Sequence, residues 1–139
     1  MSKKSNYGRK DWKVITSTPV LVGAGVSDAD ESFLSSVSEM EILYDFLDKS
    51  KAQYMDDEFM SDILSNINKD WNSDWNKLKN AVAVIDSKVS AEEAQTLKEF
   101  MYKAAVTVAE AYHEGWFSKN PISKKEAAYL AQLKKLLNI

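Results

Sequence analysis

Cysteine is absent from this 139-residue sequence, and glycine, proline and histidine are scarce, with four, two and one respectively. The missing thiols exclude disulfides, thiolate zinc sites, iron–sulfur ligation and cysteine nucleophiles, and they fit a reducing interior. A single histidine, His113, leaves no H-E-x-x-H helix, since His113-Glu114 lacks the second imidazole. With no G-x-S-x-G turn either, a hydrolytic triad has neither elbow nor thiol to build on. Phosphate-cradling loops are missing too: Gly23-Ala24-Gly25 stands in an apolar run without the third glycine of a dinucleotide fingerprint. The longest apolar run, Pro19 to Val26, is about eight residues against the roughly 20 of a spanning helix, so no transmembrane segment is expected. The basic start (Lys3, Lys4, Arg9, Lys10, Lys13) is not followed by the apolar core of an export signal, which makes a cytoplasmic location the expectation. No enzyme is read from these residues.

What the chain does have is apolar content, 45% of residues, enough for one continuous core, and 11% aromatics, too many for a disordered polymer. One domain is expected over 11–139, preceded by a flexible basic tail over 1–10. The net charge of −3 hides a strong asymmetry. Residues 1–13 carry +4, residues 28–62 carry eleven acids against Lys49 and Lys51 for −9, and the remainder carries +2. So negative a stretch repels phosphate and disfavours nucleic acid as a partner, while attracting cations or a basic protein surface. The tryptophans do not change this. Asp70 and Asp74 flank Trp71 and Trp75, where base stacking needs a basic groove, so all four rings read as packing residues.

Alternation of β-branched and polar residues is lacking, whereas helix signals recur, and the spacing predicts an all-α bundle of about six helices. Ser123-Lys124-Lys125-Glu126 and Ser90-Ala91-Glu92-Glu93 are capping boxes, in which serine and glutamate satisfy free backbone N–H groups at a helix start. The first leads into Ala127, Leu130, Leu133 and Leu137, the second into Leu97, Met101, Ala104, Ala105 and Val108. Shorter helices are read over 74–87 and 56–67, the latter opened by Asp56-Asp57-Glu58, with a turn near Asn68 to Trp71. Another S-x-x-E, Ser36 to Glu39, opens a helix reaching about Lys51. In the first segment Pro19 lacks the N–H that a helix interior uses. Two readings follow: a helix that starts near Ser17 or Thr18 with Pro19 in its first turn, which is preferred, or a longer helix that kinks at the proline. Gly23 and Gly25 would leave a smooth face for a close helix neighbour. Val26 to Asp30 also echoes Val108 to Tyr112, each followed by a loop and an S-x-x-E, which leaves two readings open, two related halves or a chance likeness.

The acidic helix ends carry the main chemical question. Asp28, Asp30 and Glu31 are close in sequence and Glu39 opens the next helix, and hard cations such as calcium, magnesium or manganese take oxygen ligands of this kind. The same acids also read as a solvated face that caps helix starts. No EF-hand loop is present.

The runs Trp12 to Gly23 with Ala29-Asp30, and Val108 to Phe117 with Ile122 to Glu126, resemble the TerB-like (tellurite-resistance) all-helical superfamily. The likeness covers about two-thirds of the chain in pattern and leaves out 49–88. It implies a compact helical domain with two related halves and a divalent cation held by acids. By position, Asp30 and Glu39 match the first half, and Glu114 and Glu126 the second, where His113 could add a nitrogen ligand. The family's Asp-Gly is replaced by Asp30-Glu31 and by Glu114-Gly115. The leading expectation is a non-enzymatic, cation-binding TerB-like module of a stress-response assembly with protein partners. The alternative is an acidic protein-interaction module without metal.

Overall fold

A computed structural model describes residues 6–29, 36–69, 74–111 and 122–139. Six helices account for the fold: α1 (Arg9–Ala29), α2 (Ser36–Gln53), α3 (Glu58–Ser65), α4 (Trp75–Lys88), α5 (Ala91–Ala111) and α6 (Lys124–Leu137). There is no strand among the described residues, and no helix there is long and apolar enough to cross a membrane.

The bundle is organised around its first helix. Residues 15–27 are all buried, and α1 packs against each of the other five helices. A helix apolar on only one side leaves its other side to water, whereas the run Val20-Leu21-Val22 with Ala24 and Val26 offers no polar stripe and is enclosed on every side. Each such valine or leucine removed from water contributes about 1.5–3 kcal/mol. Gly23 and Gly25 make two of these approaches possible. A Cβ on Gly23 would run into the Leu43 methyls of α2, and one on Gly25 into the Tyr129 ring and hydroxyl of α6.

The structure overturns the preferred reading of the N-terminal helix. α1 starts at Arg9 and passes through Pro19 without ending. An interior proline removes one ladder hydrogen bond and crowds the carbonyl four residues back, an effect of about 3 kcal/mol. Here that carbonyl belongs to Ile15, and the Thr18 hydroxyl donates to it at 2.8 Å. The Thr16 hydroxyl donates to the Trp12 carbonyl at 2.9 Å and Ser17 to Val14 at 2.7 Å, so the three buried hydroxyls beside the proline bond inside their own helix. One carbonyl further on, Thr16 accepts the backbone N–H of Asn68 at 3.2 Å, which ties the segment after α3 to the central helix. The expected tail boundary at residue 10 falls inside α1. Tyr7, just before the helix, stacks on Trp12 with ring centroids 5.7 Å apart and also meets Phe59 of α3.

The other helix starts follow their sequence signals. Asp57 caps α3, accepting from the Met60 N–H at 3.0 Å, and Asp74 caps α4, accepting from Asn76 at 2.9 Å. Ser90 and Glu93 close one capping box and Ser123 and Glu126 the other. The described parts of the two echo segments, 26–29 and 108–111, form the C-terminal ends of two 21-residue helices, α1 and α5, and Asp30 and Tyr112 lie outside the described residues.

Candidate functional site

The expected first cation site falls mostly outside the described residues. Asp28 sits exposed in the last turn of α1; Asp30 and Glu31 lie outside the described residues, as does the side chain of Glu39, whose backbone is in the first turn of α2. Of the second set, His113 and Glu114 lie outside them as well. Glu126 is described, and it is fully buried in the first turn of α6. Its Oε1 accepts from the Ser123 hydroxyl at 3.2 Å while its backbone N–H donates to the Ser123 oxygen at 3.1 Å, so this carboxylate is engaged in starting the helix. Among the described residues, no group of three or more aspartate, glutamate or histidine side chains is gathered as a metal would require.

Asp28 nonetheless acts on its surroundings. Tyr129 of α6 is pressed against Gly25, with the Trp75 ring edge-on at 5.8 Å. Burial raises the Tyr129 phenol above its ordinary range, and the nearby Asp28 charge raises it further, because both oppose a phenolate.

Carboxylates do converge elsewhere, at a place the sequence did not single out. The N-termini of α3 and α5 border a cleft of about 580 Å³ whose lining includes Asn6, Asp56, Asp57, Ser90, Glu92 and Glu93. Asp56 and Glu92 are exposed, Asp57 and Glu93 half-buried. Among the described residues, no lysine or arginine contributes to the lining. Four negative groups can share this space because two helix N-termini present their positive dipole ends to it, and because Asp57 and Glu93 also serve as the caps described above. Tyr54, at the edge of this region, registers the field: burial raises its phenol, and Asp57 and Glu99 raise it further. Tyr54 also belongs to an aromatic cluster that links α2 to α5. Tyr54 meets Phe100 edge-on at 5.4 Å, and Phe100 stacks on Phe46 at 5.5 Å.

Each half of this cleft was legible as a helix start; their meeting was not, since nothing in a local motif tells which helix ends adjoin. Among the described residues, Glu58 lies exposed on α3, and Glu41, Asp45 and Asp48 lie exposed on α2, where Asp45 pairs with Lys49 at 2.8 Å and Asp48 with Lys51 at 3.4 Å. Those pairs engage both lysines of the 28–62 stretch.

Comparison of the chain with models of known families, with curated proteins and with solved structures gives no match.

Proposed function

We propose that this chain is a non-enzymatic helical module that docks a basic segment of a partner protein in the acidic cleft between α3 and α5. The observation that supports the reading is the cleft itself: four carboxylates in its lining and, among the described residues, no cationic side chain there. Complementary charge of this kind mainly raises association rate and selects against wrong partners, and it weakens with salt as the Debye length shortens. A TerB-like relationship belongs to the same proposal and rests on the residue runs at 12–30 and 108–126.

Cation binding through Asp28, Asp30, Glu31 and Glu39 is the competing proposal, and calorimetry separates the two. Metal-stripped protein is titrated with calcium, manganese and magnesium, and then with a lysine-rich helical peptide. Docking at the cleft gives saturable heat with the peptide that Glu92→Lys abolishes and Asp30→Asn leaves intact. Saturable heat with a cation that Asp30→Asn removes, together with no response to the peptide, overturns it.

A further inference from the structure

A second groove, between α1 and α4, has the opposite character. Val14 and Leu21 of α1 and Ala81 and Val84 of α4 give it a mostly apolar floor, Lys10, Asp11 and Ser17 on α1 and Lys77 and Asn80 on α4 complete the described lining, and its volume is about 340 Å³. Val14 and Val84 are half-buried, so apolar surface there faces solvent among the described residues. Asp11, the acid among the described lining residues, lies 3.9 Å from Lys88 of α4. The described lining carries Lys10 and Lys77 against Asp11, whereas that of the α3–α5 cleft carries four carboxylates.

We infer that the α1–α4 groove receives an acidic amphipathic helix of a partner protein. Between Lys10 and Leu21 the groove follows α1 for about 16 Å, three helical turns, which matches a helix placing apolar side chains at i, i+4 and i+7 on the floor. Glutamates or aspartates flanking those anchors meet Lys10 and Lys77. Such a rim steers and orients the incoming helix, while the apolar floor supplies the affinity. The inference does not depend on the acidic cleft, because the two surfaces have different linings and opposite charge.

The test uses a roughly 15-residue helical peptide, long enough to hold helix in water, with leucines on one face and glutamates on the other. Two controls accompany it, one with every glutamate replaced by lysine and one with the same composition scrambled. Fluorescence anisotropy on the full chain is expected to show saturable binding of the acidic peptide alone. Val84→Glu weakens it about tenfold and the exposed Lys10→Glu by a similar factor, while Glu92→Lys in the other cleft leaves it unchanged. If Val84→Glu fails to fold, Lys10→Glu decides. Equal binding of the scrambled peptide, tighter binding of the lysine peptide, or indifference to Lys10→Glu overturns the inference. So does absence of peptide binding together with concentration-dependent self-association that Val84→Glu abolishes, since the occupant would then be a second copy of this chain.

Discussion

The central helix and the acidic region around the start of α3 use polar residues in opposite ways. In α1, Thr16, Ser17 and Thr18 are buried, and their hydroxyls turn back onto the carbonyls of their own helix. Around α3 and α5, polar groups sit at helix starts, where some cap backbone N–H groups and others, such as Asp56 and Glu92, face water. Polarity in a sequence therefore marks exposure only when the group has no way to satisfy itself locally. A helical hydroxyl can reach a carbonyl three or four residues back, and a carboxylate cannot. The first region is built for packing, and the second leaves carboxylates at the surface.

The largest expected effect that would sharpen this contrast comes from the core. Phe100→Ala removes a buried ring that meets both Phe46 and Tyr54, and it should destabilise the fold by about 3–5 kcal/mol in chemical denaturation. Glu92→Ala, exposed at the cleft, should shift it by no more than about 0.5 kcal/mol. Next comes Gly25→Ala, whose Cβ meets the Tyr129 ring; the overpacking should outweigh the gain in helix propensity by about 1–3 kcal/mol. A double-mutant cycle with Tyr129→Ala should recover much of that loss, because the smaller side chain vacates the space. Gly23→Ala is expected to be far milder, since only flexible Leu43 methyls must turn.

A smaller effect tests the proline. Thr18→Val keeps the shape but leaves the Ile15 carbonyl without its hydroxyl donor, and should cost about 1 kcal/mol. Were it neutral, the account of how α1 tolerates Pro19 would fail.

The pH dependence is the subtlest comparison. Tyr129 has a folded pKa raised above its unfolded value of about 10, so the folded state holds that proton more tightly. The associated stability is fully present below about pH 10 and is lost as pH rises beyond it toward the folded value. Denaturation midpoints measured between about pH 9 and 11 should decline for the native chain and less steeply for Tyr129→Phe.

Much of the fold could be read from residue order because its signals are local. The Ser90 and Ser123 capping boxes, the Asp57 start and the close-packing glycines each depend on a few neighbours, and each reappears in the structure. Helix α1 misled the reading because two conditions lie outside local pattern. A helix enclosed on all sides shows no amphipathic stripe, and its proline is tolerated through the Thr18 hydroxyl and the packing of five helices. The candidate site was only half legible for a similar reason. Asp56-Asp57 and Ser90 to Glu93 are more than thirty residues apart, and only the packing of α3 and α5 on the shared α1 and α2 brings their starts to one cleft. The carboxylates close in sequence at Asp28, Asp30 and Glu31 made the more conspicuous motif, though among the described residues it is the distant pair of helix starts that gathers charge.

The most direct test of the docking proposal is amide chemical-shift mapping of the isotope-labelled chain, titrated with a lysine-rich helical peptide and separately with calcium. The account expects the peptide to move amides at 56–58 and 90–96 in a saturable, salt-sensitive way, with calcium leaving 26–31 and 36–40 in place. Saturable calcium shifts at 26–31 and 36–40, with the 90–96 amides indifferent to the peptide, would contradict it.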